Sequence, residues 1–249
     1  MPVLGVIPAR LGSSRLPRKP LLPLAGEPLI LWVTRRVAEL RVCDRVVVAT
    51  DAREIARVVE GSGFEAVLTS SEHQSGTERV AEVAALPAFA AFDLILNVQG
   101  DEPFVAPAAL QGTVARLRLG DPIGTAAGTL DPALVNDPAR VKVVLDVNGR
   151  ALYFSRAPIP FDRDGAGGVV YHQHVGVYGY TRDALARWVR LPSVPEERWE
   201  RLEQLRPLRH GIPIGVALFP EPAAPGIDTP DDLQWAESEM SRHLKEVSP

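Results

Sequence analysis

The sequence predicts an α/β fold built on a mainly parallel sheet covered on both faces. Three observations lead there. Apolar, β-branched runs alternate with helix-spaced segments from the first residues onward. The strand runs are continuously apolar rather than alternating, as strands buried on both faces are. That order holds to about residue 120, where an antiparallel-looking stretch replaces it.

The elements follow in order. Residues 3–7 read as a buried strand and 28–41 as a helix, with Pro28 suited to its first turn. Residues 46–49 are a strand, and 52–61 a helix ended by Gly61 and Gly63. A short strand at 66–68 precedes a helix at 76–86. A strand at 94–98 precedes a helix at 106–119. Asn148-Gly149 between 141–146 and 151–154 is a hairpin signal. Residues 175–180 alternate like another strand, and 162–168 form a glycine-rich loop. Helices are expected at 181–190, 196–209 and 230–246, with a strand at 214–219. The expected organisation is one domain over 1–249, with about 130–190 as an inserted subdomain or dimer surface.

Composition narrows the function. A net charge of −4 argues against a general nucleic-acid binder. Residues 1–26 nevertheless carry Arg10, Arg15, Arg18 and Lys19 with no acidic residue, which suggests a small anionic ligand. Cys43 is the only cysteine, so no intrachain disulfide can form, as suits a reducing compartment. The longest uncharged apolar stretch, 83–92, contains Pro87 and is too short to span a bilayer. The apolar run at 3–7 is too short for a signal-peptide core. The expectation is a soluble cytoplasmic protein.

Four segments could carry chemistry. The first is the basic loop at 9–20, in a connection of about eighteen residues where about 2–6 is usual. It follows the first strand, and ligands of open α/β sheets bind beyond the strands' carboxyl ends. Gly12, Ser13 and Ser14 offer backbone and hydroxyl donors to phosphate. Arg10, Arg15 and Lys19 add charged ones. Neither a P-loop nor a dinucleotide-binding glycine pattern is present. The second is 97–103, where Asp101 follows Gly100 at the end of an apolar strand. A carboxylate there, facing a basic loop, makes sense with Mg²⁺ and substrate phosphates between them. The third is 226–232. Thr229, Pro230 and Asp232 read as a helix start, leaving Asp228 as a second metal ligand. The fourth is 73–79, where Ser75 and Glu78 begin a helix. Gln74 and Arg79 are placed to touch a nucleotide, although capping alone accounts for the segment equally well.

His172 and His174 share a strand face, but one cysteine and no clustered third histidine make a transition-metal site a weak reading. Trp199, Leu202, Leu205 and Leu208 form a helical stripe beside Glu203 and Gln204.

Eight segments in register resemble the 3-deoxy-manno-octulosonate (Kdo) cytidylyltransferase family. They are IPARLGSSRLPRKP (7–20), HQSGTER (73–79), NVQGDEP (97–103), VKVVLD (141–146), ALYFSR (151–156), HVGVYGY (174–180), EQLR (203–206) and IDTP (227–230). The resemblance implies a three-layer α/β/α nucleotidyltransferase fold, usually dimeric. It also implies transfer of CMP from CTP to an acidic eight-carbon sugar, with Mg²⁺, for lipopolysaccharide synthesis. By this resemblance Arg10, Arg15 and Lys19 hold the CTP phosphates, and Gln74 and Arg79 lie near the cytidine. Asp101 and Asp228 bind Mg²⁺. Gln99, Arg156, His174, Tyr178, Glu203 and Gln204 hold the sugar acid, Arg156 gripping its carboxylate through a two-pronged guanidinium. The sequence departs from the family in a shorter, glycine-rich loop after Pro160, and in Gln173 and Thr181 where basic residues are expected. An 8-amino sugar or sialic acid is the nearest alternative acceptor. A glycosyltransferase and a non-catalytic nucleotide-binding module are the more distant readings.

Overall fold

The computed structural model describes residues 1–12, 16–165 and 167–247. Its strands are β1 (Val3–Ala9), β2 (Pro23–Leu24), β3 (Glu27–Pro28), β4 (Arg45–Thr50), β5 (Glu65–Leu68), β6 (Leu94–Asn97), β7 (Ile123–Leu130), β8 (Lys142–Leu145), β9 (Ala151–Ser155), β10 (Tyr171–Thr181) and β11 (Ile214–Pro222). Its helices are α1 (Leu29–Glu39), α2 (Arg53–Gly61), α3 (Gly76–Ala85), α4 (Pro107–Arg118), α5 (Arg182–Trp188), α6 (Pro195–Glu200), α7 (Leu205–Arg209) and α8 (Pro230–Val247). The chain falls into two compact units. An N-terminal unit holds Pro2–Phe92, Asn97–Val105 and the chain from Ala224 on; a central unit holds Asp93–Leu96 and Ala106–Ala223.

In the N-terminal unit, β1 pairs in parallel with β4, and β4 with β5. Every residue of β1 is buried, which accounts for its unbroken apolar run. Helix α1 turns Leu29, Ile30, Val33 and Val37 inward at helical spacing. Helix α2 ends where expected: Gly63, at φ +81°, donates to the Glu60 carbonyl, and the next N–H reaches back to Val59.

The stretch before α1 is less open than the sequence suggests. Residues 23–28 form a hairpin, β2 with β3, through Ala25 and Gly26, both at positive φ. Two such residues in a two-residue turn match the right-handed twist of the paired strands. Glu237 of α8 accepts the Ala25 N–H and ties the hairpin down.

In the central unit the strand order is β11-β7-β10-β6, with β8 beside β10 and β9 beside β8. Strand β11 runs parallel to β7, whereas β10 runs antiparallel to it. The hairpin β8–β9 forms as expected, its turn held by the Asp146 carboxylate, which accepts from the Asn148 and Arg150 N–H groups.

Two expectations are corrected here. Strand β7 has no counterpart in the sequence reading. Its run of Gly, Ala and Thr lacks the bulky residues that mark a strand, because its neighbours leave no room for them. A Cβ on Gly124 would lie 2.6 Å from the Thr113 carbonyl of α4, and one on Gly128 would lie 2.6 Å from the Glu221 carbonyl. The helix expected at 196–209 is two short helices. They break at Arg201, which sits at φ 51° in the left-handed region. The stripe is broken with it: Leu202 and Leu205 are buried, but Trp199 is 80% exposed.

Candidate functional site

A cleft of about 480 Å³ opens in the N-terminal unit at the carboxyl end of β1. Arg10, Gly12, Lys19, Arg79, Gln99, Asp101 and Asp228 line it together, although the sequence spreads them over more than two hundred positions.

Backbone contacts explain the convergence. Val98 donates to the Val6 carbonyl and continues the strand direction beside β1. Gly100 then packs onto the end of β1, where an added Cβ would lie 2.9 Å from the Pro8 carbonyl. Its role is therefore close approach rather than an unusual dihedral angle. The Asp101 carbonyl accepts the Ile227 N–H, which brings the 226–228 segment alongside. Thr229 and Asp232 cap α8 reciprocally: Thr229 Oγ1 accepts from Asp232 N, and Asp232 Oδ2 accepts from Thr229 N. Asp232 also accepts the Asp228 N–H, fixing the backbone that carries the second carboxylate.

Lys19 stands at the centre. A single turn of 3₁₀ helix over Lys19–Leu21, entered through Arg18 at φ 59°, aims its side chain into the cleft. Nζ lies 2.6 Å from Asp101 Oδ2 and 2.9 Å from Asp228 Oδ1. Burial works to lower the Lys19 pKa, but the charge and hydrogen bond of Asp101, joined by those of Asp228, raise it above 10.5. A point that one cation shares with two carboxylates also suits Mg²⁺, which takes one or two carboxylates and completes its shell with water and phosphate oxygens.

The fourth segment divides. Arg79 is buried, its guanidinium held by Asp51 at 3.1 Å and by the Thr69 hydroxyl. It lines the cleft and braces the loop beside it. Gln74 is not part of the lining; its side-chain amide donates to the Glu72 carbonyl. His73, which the sequence reading did not single out, lines the cleft with Nε2 2.5 Å from Glu82. Its only signal was its place in the HQSGTER block. Ser13, Ser14 and Arg15 lie outside the described residues.

The central unit gathers a second group. His174 and Tyr178 lie on β10 with ring centroids 5.3 Å apart, and Phe154, Tyr180 and Trp188 pack around them. Burial pushes the His174 pKa down to about 3, so its imidazole is neutral. Burial, with Tyr180 and Glu203 adding to it, pushes the Tyr178 phenol well above its ordinary value. The Tyr178 hydroxyl is buried without a hydrogen-bond partner among the described residues, an arrangement that favours a ligand able to satisfy it.

Arg156 is committed to the backbone. Its guanidinium donates to the carbonyls of Glu200 at 2.6 Å, Pro138 at 2.7 Å and Arg201 at 3.4 Å. Fully buried Lys142 donates to the Arg156 carbonyl. The guanidinium bonds of Arg156 use three of its five N–H donors and leave two for a further acceptor. Gln204 is buried at the start of α7. The two departures also have partners: Gln173 accepts from Arg140, and Thr181 caps α5.

The cytidylyltransferase family profile matches residues 4–214. A 3-deoxy-manno-octulosonate cytidylyltransferase of Gemmatimonas aurantiaca is 54% identical over 238 residues, 94% of this chain and 92% of the relative. One of Methylococcus capsulatus is 47% identical, over 98% of this chain and 97% of its own. A solved structure of CMP:2-keto-3-deoxy-manno-octonic acid synthetase complexed with CTP superposes with a TM-score of 0.91. It is 38% identical and covers 98% of this chain and 100% of its own.

Proposed function

The chain belongs to the 3-deoxy-manno-octulosonate cytidylyltransferase family, and on that premise we propose that it transfers CMP from CTP to Kdo and releases pyrophosphate. The observation that carries this reading is the Lys19 ammonium shared by Asp101 and Asp228 in a cleft that also holds Arg10 and Gln99.

In the N-terminal unit, Arg10 and Lys19 bind the triphosphate, and Gly12 leaves the backbone open to it. The sequence resemblance gives Ser13, Ser14 and Arg15 the same task and sets Gln74 and Arg79 near the cytidine. Asp101 and Asp228 would hold Mg²⁺, which would neutralise phosphate charge. As the nucleotide enters, Lys19 exchanges its carboxylate partners for phosphate oxygens and stabilises charge that develops on them. In the central unit His174, Tyr178, Glu203 and Gln204 bind the sugar acid, with Arg156 for its carboxylate; for Gln99 a sugar-acid role rests on the sequence resemblance alone. The anomeric hydroxyl releases its proton to solvent while its oxygen forms the new bond to the α-phosphorus, in line with the bond that breaks to pyrophosphate. Positioning supplies much of the acceleration.

No helix among the described residues is long and apolar enough to cross a membrane. That is consistent with a cytoplasmic enzyme supplying activated sugar for lipopolysaccharide. The family resemblance favours a homodimer.

The test is pyrophosphate release from CTP, UTP, ATP and GTP with Kdo, its 8-amino analogue and sialic acid, with and without Mg²⁺. Release confined to CTP, Mg²⁺ and Kdo is the expected outcome. Release with another acceptor overturns the sugar assignment. No release with any pair moves the reading to a binding module.

A further inference from the structure

The strand β7 that the sequence reading passed over carries a buried hydroxyl against His174. Thr125, with no exposed surface, is the register partner of Tyr178 on β10. The register of β10 shifts between Val175 and Tyr178. This brings two carbonyls to the Thr125 hydroxyl, Val177 at 2.8 Å and Val175 at 3.3 Å. His174 Nε2 lies 3.1 Å from the same oxygen.

A threonine hydroxyl has one proton to donate. The Val177 carbonyl can only accept, and at 2.8 Å it requires that proton. Were the proton aimed at His174 instead, two oxygen lone pairs would face each other at 2.8 Å. Towards His174 the Thr125 oxygen is therefore an acceptor, so Nε2 carries the imidazole proton. The ring is neutral, as its depressed pKa also requires, so Nδ1 is left with a lone pair. Nδ1 makes no hydrogen bond among the described residues. Phe154, Tyr178 and Thr125 surround the ring, and none of them brings a charge.

We infer that Thr125 is a positioning residue that fixes the tautomer of His174, so that Nδ1 is presented as a hydrogen-bond acceptor for a sugar hydroxyl. The inference rests on the proposed sugar-binding role of His174. It gives the pair His174 and Tyr178 complementary chemistry. Nδ1 accepts the hydroxyl's proton, and the Tyr178 phenol, without a hydrogen-bond partner among the described residues, donates to the same kind of group. A sugar hydroxyl needs both an acceptor and a donor, and this pair supplies one of each.

The experiment is long-range ¹H–¹⁵N spectroscopy of the uniformly labelled protein at neutral pH. The His174 signals are assigned among the five histidines by their loss in His174→Gln. The wild type should show His174 as a neutral ring with protonated Nε2 and unprotonated Nδ1. Thr125→Val removes the acceptor at nearly constant volume. It should abolish that fixed tautomer and raise KM for Kdo by about three- to tenfold, the worth of one hydrogen bond, with KM for CTP unchanged. Thr125→Ser should restore both. A wild-type ring protonated on Nδ1, or charged, overturns the inference whatever the variants do. So does a Thr125→Val protein with the wild-type tautomer and KM. If that variant does not fold, Thr125→Ala serves in its place. A wild type with the expected tautomer but no turnover of Kdo would overturn the functional reading and leave the tautomer assignment standing.

Discussion

At Lys19 one ammonium is shared by two carboxylates that the sequence places 82 and 209 residues away. Asp101→Asn removes a charge from the Lys19 pairing and a ligand from the proposed metal site. Turnover is expected to fall by at least about 10²–10³-fold, as when a donor to transition-state charge is lost. Near-normal activity in a well-folded variant would sink the assignment. His174 makes a prediction about pH. Its folded-state pKa is about 3, against an ordinary value of 6.5, so the unfolded chain binds a proton in that window and the folded protein does not. The stability it contributes is present above about pH 6.5. It is lost as pH falls through the window, by at most roughly 1.4 kcal/mol per pH unit. Urea titrations at pH 7, 6 and 5 should show this acid slope, and His174→Gln should flatten it. Equal slopes would mean that the ring is protonated in the folded protein.

At the scale of elements, tight packing hid some of the structure from the sequence. The apolar, β-branched runs of β1, β4 and β6 declared themselves, as did the caps of α3 and α8. Strand β7 did not, because the closeness of α4 and β11 selects small residues there. The break between α6 and α7 was illegible for a different reason. Arg201 adopts a conformation that sequence ordinarily signals with glycine. Arg201→Gly should relieve about 1 kcal/mol of backbone strain and raise the melting temperature. A lowered melting temperature would show that the arginine side chain does more than tolerate its place. Gly100 makes the opposite prediction. In Gly100→Ala the new methyl meets the Pro8 carbonyl and must displace the turn that carries Asp101. A cost of about 1–3 kcal/mol is expected, together with a fall in turnover. Unaltered turnover would mean that the turn does not set the carboxylate's position.

For the molecule as a whole, charge and exposed apolar surface are the relevant quantities. A net charge of −4 with a basic segment before residue 27 suits a small anionic ligand and opposes nucleic acid. The family resemblance leads to the expectation of a dimer. Sedimentation equilibrium should return twice the 27.0 kDa of one chain; a monomer would remove the dimer from the proposal.

The sequence by itself determined the fold class, the family and the carboxylates and cations of the cleft. These are written in local signals: strand runs, caps, a basic loop and short motifs in fixed order. Tertiary structure alone decided what those residues do to one another. That Lys19 bridges both aspartates depends on the Ile227 N–H reaching the Asp101 carbonyl. That Arg156 is bound to backbone carbonyls depends on where α6 ends. The state of His174 depends on a threonine in a strand with no strand signature. Hydrogen-bond direction and burial are set by neighbours distant along the chain, and no window of sequence contains them.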